Sequence, residues 1–279
     1  MKIRSLLCGL LMFAFAGGIA SAQDLSDPLR PVKIDEVIYF GLSGGYNKVM
    51  HNVEMKTFAY DVLCPVFENG RENGYHLGGF YEQMIGEAGT AHSIVLRALY
   101  NTYNSSFEKQ GDRLLSRVTD ANGNESDVYT TTNHKNEIKY AAFSLDLMYK
   151  FRALMFPNVG ALVFTAGPTV DFIGTKTRTQ TMNLVDPSNV QFQEQTLPEG
   201  QRYSADRRSV IVYDGDIDGA KSMRIGMKVG AQLEIKIPNL PIDIIPGAFY
   251  NFALTNVDDQ DWKVNIIQIG VDIRYALKY

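Results

Sequence analysis

Cysteine is nearly absent from this chain of 279 residues. Of the two cysteines, Cys8 lies in an N-terminal apolar segment and lacks the small residues that precede a lipoprotein cysteine. Cys64 is then the single cysteine of the mature chain. One cysteine excludes an internal disulfide framework and a CxxC metal or redox motif.

Long apolar runs are also absent after residue 22. A transmembrane helix needs about 20 consecutive, mostly apolar residues. The sequence therefore excludes a helical membrane protein.

Positive charge is not in excess either. The chain contains 27 lysines and arginines against 31 aspartates and glutamates, a net charge of −4. Lys2 and Arg4 belong to the N-terminal segment, and removing them leaves 25 basic residues against 31 acidic ones, a net charge of −6. This acidic balance argues against nucleic acid as a partner.

The N-terminus carries a targeting signal. Lys2 and Arg4 precede an apolar segment, and small residues follow it up to Ala22. This is the pattern of a secretory signal peptide, whose apolar part is too short to span a bilayer. We predict that residues 1–22 are removed and that the polar residues 23–36 form a flexible periplasmic segment.

The end of the chain alternates strictly between apolar and polar residues. The apolar positions are Ile267, Ile269, Val271, Ile273, Tyr275, Leu277 and Tyr279, and the positions between them are Gln268, Gly270, Asp272, Arg274, Ala276 and Lys278. This period of two predicts a strand with one apolar and one polar face. Because the polar face is mostly small or charged, we interpret the apolar face as facing lipid.

Seven upstream segments show the same alternation. They lie at residues 37–47, 74–84, 93–101, 143–152, 162–172, 223–237 and 242–255. Pro168, in the fifth segment, lacks a ladder donor and predicts a β-bulge. The 24 glycines, 15 tyrosines and 15 phenylalanines suit a β-barrel, in which aromatic rings mark the membrane interfaces.

The connections between these segments alternate in length. Long connections are predicted at residues 51–73, 109–136 and 176–221, and short ones near Gly86, near Asn158, at 238–241 and at 256–261. Outer-membrane barrels have short periplasmic turns and long extracellular loops. The lengths of the connections and the alternation along the strands therefore both indicate an outer-membrane barrel.

Two soluble folds are the alternatives to a membrane barrel. A lipocalin-like barrel has an apolar interior, which Arg224, Lys228 and Asp272 do not fit. Strands of a β-sandwich usually have about five or six residues, whereas segment 223–237 exceeds the roughly 9–11 residues of a tilted membrane-spanning strand. The sequence therefore predicts an all-β fold in which residues 37–279 form an eight-stranded antiparallel up-and-down transmembrane β-barrel with long extracellular loops, surrounded by outer-membrane lipid.

The last strand carries the most specific motif of the chain. Gln268 is followed by Gly270, Ile273 and Tyr275, and Tyr279 supplies a terminal aromatic residue. With these residues the chain resembles the OmpA-like and PorT-like eight-stranded outer-membrane β-barrel proteins of Gram-negative bacteria. The resemblance implies that the outer-membrane barrel-assembly machinery inserts the protein and reads these positions as its signal. It implies no activity.

Charges of both signs lie on the polar faces of the predicted strands. They are Glu82, Arg97, Asp146, Lys150, Asp171, Arg224, Lys228, Glu234, Asp272 and Arg274. An eight-stranded barrel is just wide enough for its side chains to fill, and unpaired buried charge is costly. These side chains are predicted to form a salt-bridge network that plugs the barrel, and a gated ion path is the alternative.

Three aspartates resemble the first half of a calcium loop. Asp214, Asp216 and Asp218 alternate before Gly219, but Ile225 occupies the twelfth position, where such a loop has a glutamate. The segment is therefore either a weak calcium site or an acidic turn. No other cofactor is predicted.

Catalytic motifs are absent from the sequence. The histidines His51, His76, His92 and His134 have no nucleophile elbow or paired acid–base spacing beside them. We predict a non-enzymatic protein whose loops serve adhesion, a surface or periplasmic partner protein, or envelope stability. The alternatives are an accessory component of a secretion machine, as in PorT-like proteins, and a lipid-modifying enzyme, which needs His76 or His134 beside a serine and a carboxylate.

Overall fold

The computed structural model describes residues 37–55, 67–86, 90–120, 122–156, 159–259 and 261–278. Thirteen β-strands and no α-helix occur within these ranges. No helix among the residues so described is long and apolar enough to cross a membrane. The predicted signal peptide, the periplasmic segment, Cys64 and Tyr279 lie outside the described residues.

The strands differ widely in length. They are β1 (Val37–Met55), β2 (Phe67–Met84), β3 (His92–Thr102), β4 (Ser105–Gln110), β5 (Leu114–Asp120), β6 (Glu125–Phe156), β7 (Gly160–Asp186), β8 (Val190–Phe192), β9 (Arg202–Tyr203), β10 (Ser209–Asp216), β11 (Met223–Lys236), β12 (Ile242–Ala253) and β13 (Lys263–Lys278). The eight long strands β1, β2, β3, β6, β7, β11, β12 and β13 correspond to the eight segments predicted from alternation, although β11 ends at Lys236 and β12 at Ala253, short of the predicted ends at 237 and 255.

These eight strands pair in a ring. Each is antiparallel to both of its neighbours, in the order β1, β2, β3, β6, β7, β11, β12, β13 and back to β1. The all-β antiparallel prediction is confirmed. Below, the lower end of the ring is the end with the β11–β12 turn at residues 238–241, and the upper end is the opposite one.

The two faces of the ring differ as the alternation predicts. On the outer face, Ile225, Leu233, Ile269 and Ile273 are 37–55% exposed. On the inner face, the charged side chains Arg224, Lys228 and Asp272 are at most 6% exposed. A soluble sandwich or calyx would bury the first set and expose the second, so both soluble alternatives are wrong.

The prediction that residues 109–136 and 176–221 form long loops is wrong for most of their length. β6 begins at Glu125 and β7 continues to Asp186, and the two strands pair up to Thr131 and Asp186. These extensions are rich in threonine, lysine and asparagine, and a strand that is polar on both faces has no period-two signal.

The short strands extend the ring at its upper end. β4 and β5 pair with β6, β8 pairs with β5, and β10 pairs with both β7 and β9. This upper sheet has an apolar cluster of its own, formed by Val118, Val128, Leu184, Val190 and Phe192. The predicted loops therefore contain an ordered β-sheet.

The bulge predicted at Pro168 is also wrong. Asp146 pairs with Thr169 and Tyr149 with Ala166, so β6 and β7 stay in register on both sides of the proline. The missing donor removes one ladder hydrogen bond, and this loss requires no extra residue in the strand.

Two adjacent glycines of β1 test how tightly the ring is packed. A Cβ at Gly45 would lie 2.3 Å from the Ile269 carbonyl oxygen, whereas the nearest atom to a Cβ at Gly44 is Leu77 Cδ1, at 3.5 Å. We expect Gly45→Ala to lower the free energy of unfolding by about 1–3 kcal/mol through overpacking. Urea unfolding of the detergent-solubilised protein measures this change. The matched control, Gly44→Ala, should be neutral or slightly stabilising, and equal losses in both variants would contradict the close approach at Gly45.

Candidate functional site in the interior of the ring

The lower end of the interior holds a dense cluster of charges. Glu82 comes from β2 and Glu234 from β11, and three cations lie between them. Lys150 Nζ is 2.9 Å from Glu82 and 2.8 Å from Glu234. Arg274 contacts the same two carboxylates at 3.0 and 2.8 Å, and Arg152 also pairs with both. Each cation therefore bridges both glutamates.

Further ion pairs lie on the inner faces of the strands. They are Arg274 with Asp243, Arg97 with Asp272, Lys228 with Asp146, and Arg224 with Asp171. All ten predicted interior charges thus take part in ion pairs. Arg152 and Asp243 complete this interior network, although they were not among those ten. With them it contains six carboxylates and six cations, so its net charge is zero.

A layer of amides lies above the charge cluster of the lower end. Gln268 Nε2 donates to Asn47 Oδ1 at 3.0 Å and to Asn101 Oδ1 at 2.9 Å. Asn101 Nδ2 donates to Ser144 Oγ at 2.7 Å, and His76 Nδ1 lies 2.9 Å from Asn47 Oδ1. These hydrogen bonds therefore join five strands of the ring, β13, β1, β3, β6 and β2, across its interior.

The residues of the predicted assembly signal fall on both faces. Gln268 belongs to the amide layer, and a Cβ at Gly270 would lie 3.0 Å from His76 Nε2. Ile273 and Tyr275 are exposed on the outer face. Recognition of these residues by an assembly machinery remains a prediction.

Apolar side chains fill the upper end of the interior. This upper cluster consists of Val49, Val53, Phe67, Tyr103, Phe107, Ile138, Tyr140, Ala142, Ile173, Ile217, Val257, Trp262, Val264 and Ile266. The sequence did not predict this cluster, because the alternation indicated a first strand that ends at Asn47. The pattern that could have predicted it is the alternation along β1, because Val49, His51 and Val53 follow Asn47 at every second residue and share its inner face.

His51 is the polar centre of the upper cluster. Trp262 Nε1 donates to His51 Nδ1 at 3.1 Å, so the ring proton is on Nε2, which donates to the Tyr103 carbonyl oxygen at 2.9 Å. Burial, reinforced by the charge of Arg224, lowers the pKa of His51 from 6.5 to about 3. The imidazole is therefore neutral at physiological pH.

The other histidines have different partners. His92 Nδ1 lies 2.5 Å from the Tyr149 hydroxyl, and His134 Nε2 lies 3.2 Å from Thr132 Oγ1. The hydrogen bond of His76 joins it to an asparagine. None of these contacts is the serine–histidine–carboxylate arrangement that the lipid-modifying enzyme hypothesis requires.

The three aspartates of the calcium candidate are not brought together as ligands. Asp214 accepts hydrogen bonds from Arg202 at 2.8 Å and Thr179 at 3.1 Å, and the bond from Arg202 lowers the pKa of Asp214. In the described ranges, no group of three or more His, Cys, Asp or Glu residues is placed to hold a metal ion. Asp214 and Asp216 lie in strand β10, and only Asp218 lies in the turn that follows it, so the segment is not a single acidic turn. Calcium binding stays a prediction.

Comparisons with known proteins give distant structural matches. No protein-family model matches the chain, and no curated protein matches it. Two solved structures of Ail, the attachment invasion locus protein of Yersinia pestis, are 11% identical and align over 85% of this chain. One covers 98% of Ail with a TM-score of 0.33; the other, a complex with the heparin analogue sucrose octasulfate, covers 99% with a TM-score of 0.31. The outer membrane protease OmpT from Escherichia coli is 10% identical, over 90% of this chain and 99% of OmpT, with a TM-score of 0.35. At these values the comparisons assign neither a family nor an activity.

The charge cluster at the lower end yields a stability prediction. Glu234→Gln removes one of the two carboxylates that every cation of the cluster contacts, and should lower the free energy of unfolding by about 3–5 kcal/mol. Urea unfolding measures the loss. The control is Asp127→Asn, which breaks the exposed Arg117–Asp127 pair and should cost less than about 1 kcal/mol. A loss at Glu234 no larger than the control would mean that the cluster contributes no more than a surface pair.

His51 yields a pH prediction for the upper cluster. The unfolded chain binds the proton near pH 6.5 but the folded chain only near pH 3, so the unfolded state binds more protons between these values. The contribution of neutral His51 to the free energy of unfolding is fully present above about pH 6.5. It should fall as the pH is lowered, by up to about 1.4 kcal/mol per pH unit.

Trp262 is the single tryptophan of the chain and reports on the unfolding of this region by its fluorescence. We expect His51→Gln, whose amide does not titrate, to have a shallower dependence of stability on pH between 4.5 and 7 than the unmodified protein. The same slope in both proteins would contradict the neutral, buried imidazole.

Proposed function

We propose that this chain is an outer-membrane β-barrel protein. In this proposal the ring is a closed eight-stranded barrel that crosses the membrane, and the upper sheet lies outside the cell. The observation that carries it is the exposure of a continuous apolar outer face around an interior of paired charges. Hydrocarbon stabilises that outer face, whereas water does not.

Aromatic side chains at two levels of the outer face support the membrane position. At the upper level, Tyr46 pairs with Tyr75, whose ring centroid lies 6.2 Å from that of Tyr100. At the lower level, the rings of Phe40 and Tyr81 lie 5.3 Å apart. Barrels of the outer membrane carry such girdles at both interfaces, with the apolar band between them.

The filled interior favours a plugged scaffold rather than an open channel. The charge cluster fills its lower end and the apolar upper cluster its upper end, and the amides and the remaining ion pairs lie between them. A permeating solute would have to break the pairs, and each uncompensated buried charge costs several kcal/mol.

Function is then assigned to the upper sheet. Binding residues are found disproportionately on segments that a rigid scaffold holds, and this sheet continues β6 and β7 beyond the apolar band. We infer a non-enzymatic role in adhesion, in binding a surface or periplasmic partner protein, or in stabilising the envelope. An accessory role in secretion, as in PorT-like proteins, would appear as a stable envelope complex after crosslinking.

Leu233 tests the position of the membrane. Its side chain is 42% exposed on the outer face, opposite Leu162 of β7. Arginine on the outer face costs about 2–4 kcal/mol at the middle of the bilayer but only about 0–1 kcal/mol near an interface. Leu233 lies near the lower end of β11, beside Glu234 of the lower charge cluster, so Leu233→Arg in a barrel that spans the bilayer should cost about 1 kcal/mol. We expect less folded protein in the outer-membrane fraction, measured as the band whose gel mobility changes on boiling.

Leu233→Met is the matched control and should assemble normally. The proposal fails if the unmodified protein is found in the soluble fraction, or if its mobility is the same with and without boiling.

A further inference from the structure

A small cavity lies between the lower charge cluster and the amide layer. Its volume is about 10 Å³. The polar side chains around it are Arg97, Lys150, Thr165, Gln232 and Asp272, and the aromatic ones are Phe80 and Phe249. The cavity is therefore lined by both polar and apolar side chains.

Two polar atoms of the lining residues have no hydrogen-bond partner within the described part of the chain. They are Arg97 Nε and Thr165 Oγ1, and the two residues are 4% and 6% exposed. The far end of Arg97 is occupied, because Nη2 donates to Ser43 Oγ and to Asp272 Oδ1. A buried N–H or hydroxyl without a partner destabilises the folded state.

The guanidinium has little freedom to turn toward another acceptor. Its central carbon lies 4.7 Å from the ring centre of Phe249 and 5.9 Å from that of Phe80. The ion pair with Asp272 fixes the other edge at 2.9 Å. A ligand in the cavity is therefore the remaining way to satisfy Nε.

Size and charge define this ligand. A cavity of roughly 10–15 Å³ holds one water molecule, which needs two to four polar partners. Arg97 is already paired with Asp272, and Lys150 with Glu82, so an anion would add charge to a neutral interior. The ligand is thus small, neutral and able both to accept and to donate.

We propose that one water molecule is bound in this cavity as a structural ligand. It accepts a hydrogen bond from Arg97 Nε and forms a second one with Thr165 Oγ1. The water connects β3, which carries Arg97, to β7, which carries Thr165. Since these two strands are not neighbours in the ring, the water adds a contact across the interior.

Thr165→Val tests the proposal by the sign of its effect. Valine has nearly the shape of threonine but lacks the hydroxyl. If the hydroxyl is bonded to a water, its removal should lower the equilibrium constant for folding by about twofold to tenfold. If the hydroxyl has no partner, its removal relieves a penalty and the same constant rises. Urea unfolding of both proteins in the same detergent decides between the two.

A crystal structure that resolves ordered water provides the second measurement. We expect one density peak within hydrogen-bond distance of both Arg97 Nε and Thr165 Oγ1, present in Thr165→Ser as a control and lost or displaced in Thr165→Val. A cavity without density, or a direct bond between the two side chains, would overturn the proposal. The unmodified protein alone suffices for this measurement if a variant fails to fold.

Discussion

Charge balance inside a narrow ring is the constraint on which the structure depends. Six carboxylates and six cations face one another where bulk water is excluded. Such an arrangement is stable only when each charge has a partner, because the desolvation of one unpaired ion exceeds what most other interactions contribute. Glu82 and Glu234 each contact three cations, so the strands that carry them are held relative to β6 and β13 as well as to their neighbours.

The same narrowness explains the glycines on the inner face. A Cβ at Gly41 would lie 2.3 Å from Phe80 Cζ, and one at Gly230 would lie 2.3 Å from Phe249 Cδ1. The two phenylalanine rings lie flat against the wall where a side chain is missing, and this leaves the centre of the ring to the charges. Glycine weakens an isolated strand, but here it provides the space that aromatic residues and ion pairs occupy together.

Sequence periodicity predicts which residues face inward and which face outward. It does not predict the ion-pair partners or the upper sheet. Alternation identified the faces of all eight long strands, because a strand between hydrocarbon and a polar interior must change polarity at every residue. The charges at Glu82, Arg97 and Arg274 were therefore placed inside. Their partners could not be predicted, since the pairing depends on register around a closed set of strands. The upper sheet was missed because the extensions of β6 and β7 are rich in polar residues and the strands added to them are short.

The upper end of the ring shows that the surroundings, and not the fold, decide which face is apolar. Along β1 the inner residues Ser43 and Asn47 are polar, whereas Val49 and Val53 beyond them are apolar and enclose His51. β13 changes at the same level, because Gln268 pairs with Asn47 and the inner residues beyond it are Val264 and Ile266. One continuous ladder thus carries both patterns. A strand that faced a single medium along its length would have no reason to invert. In the proposed barrel, the inversion marks the level at which hydrocarbon gives way to water.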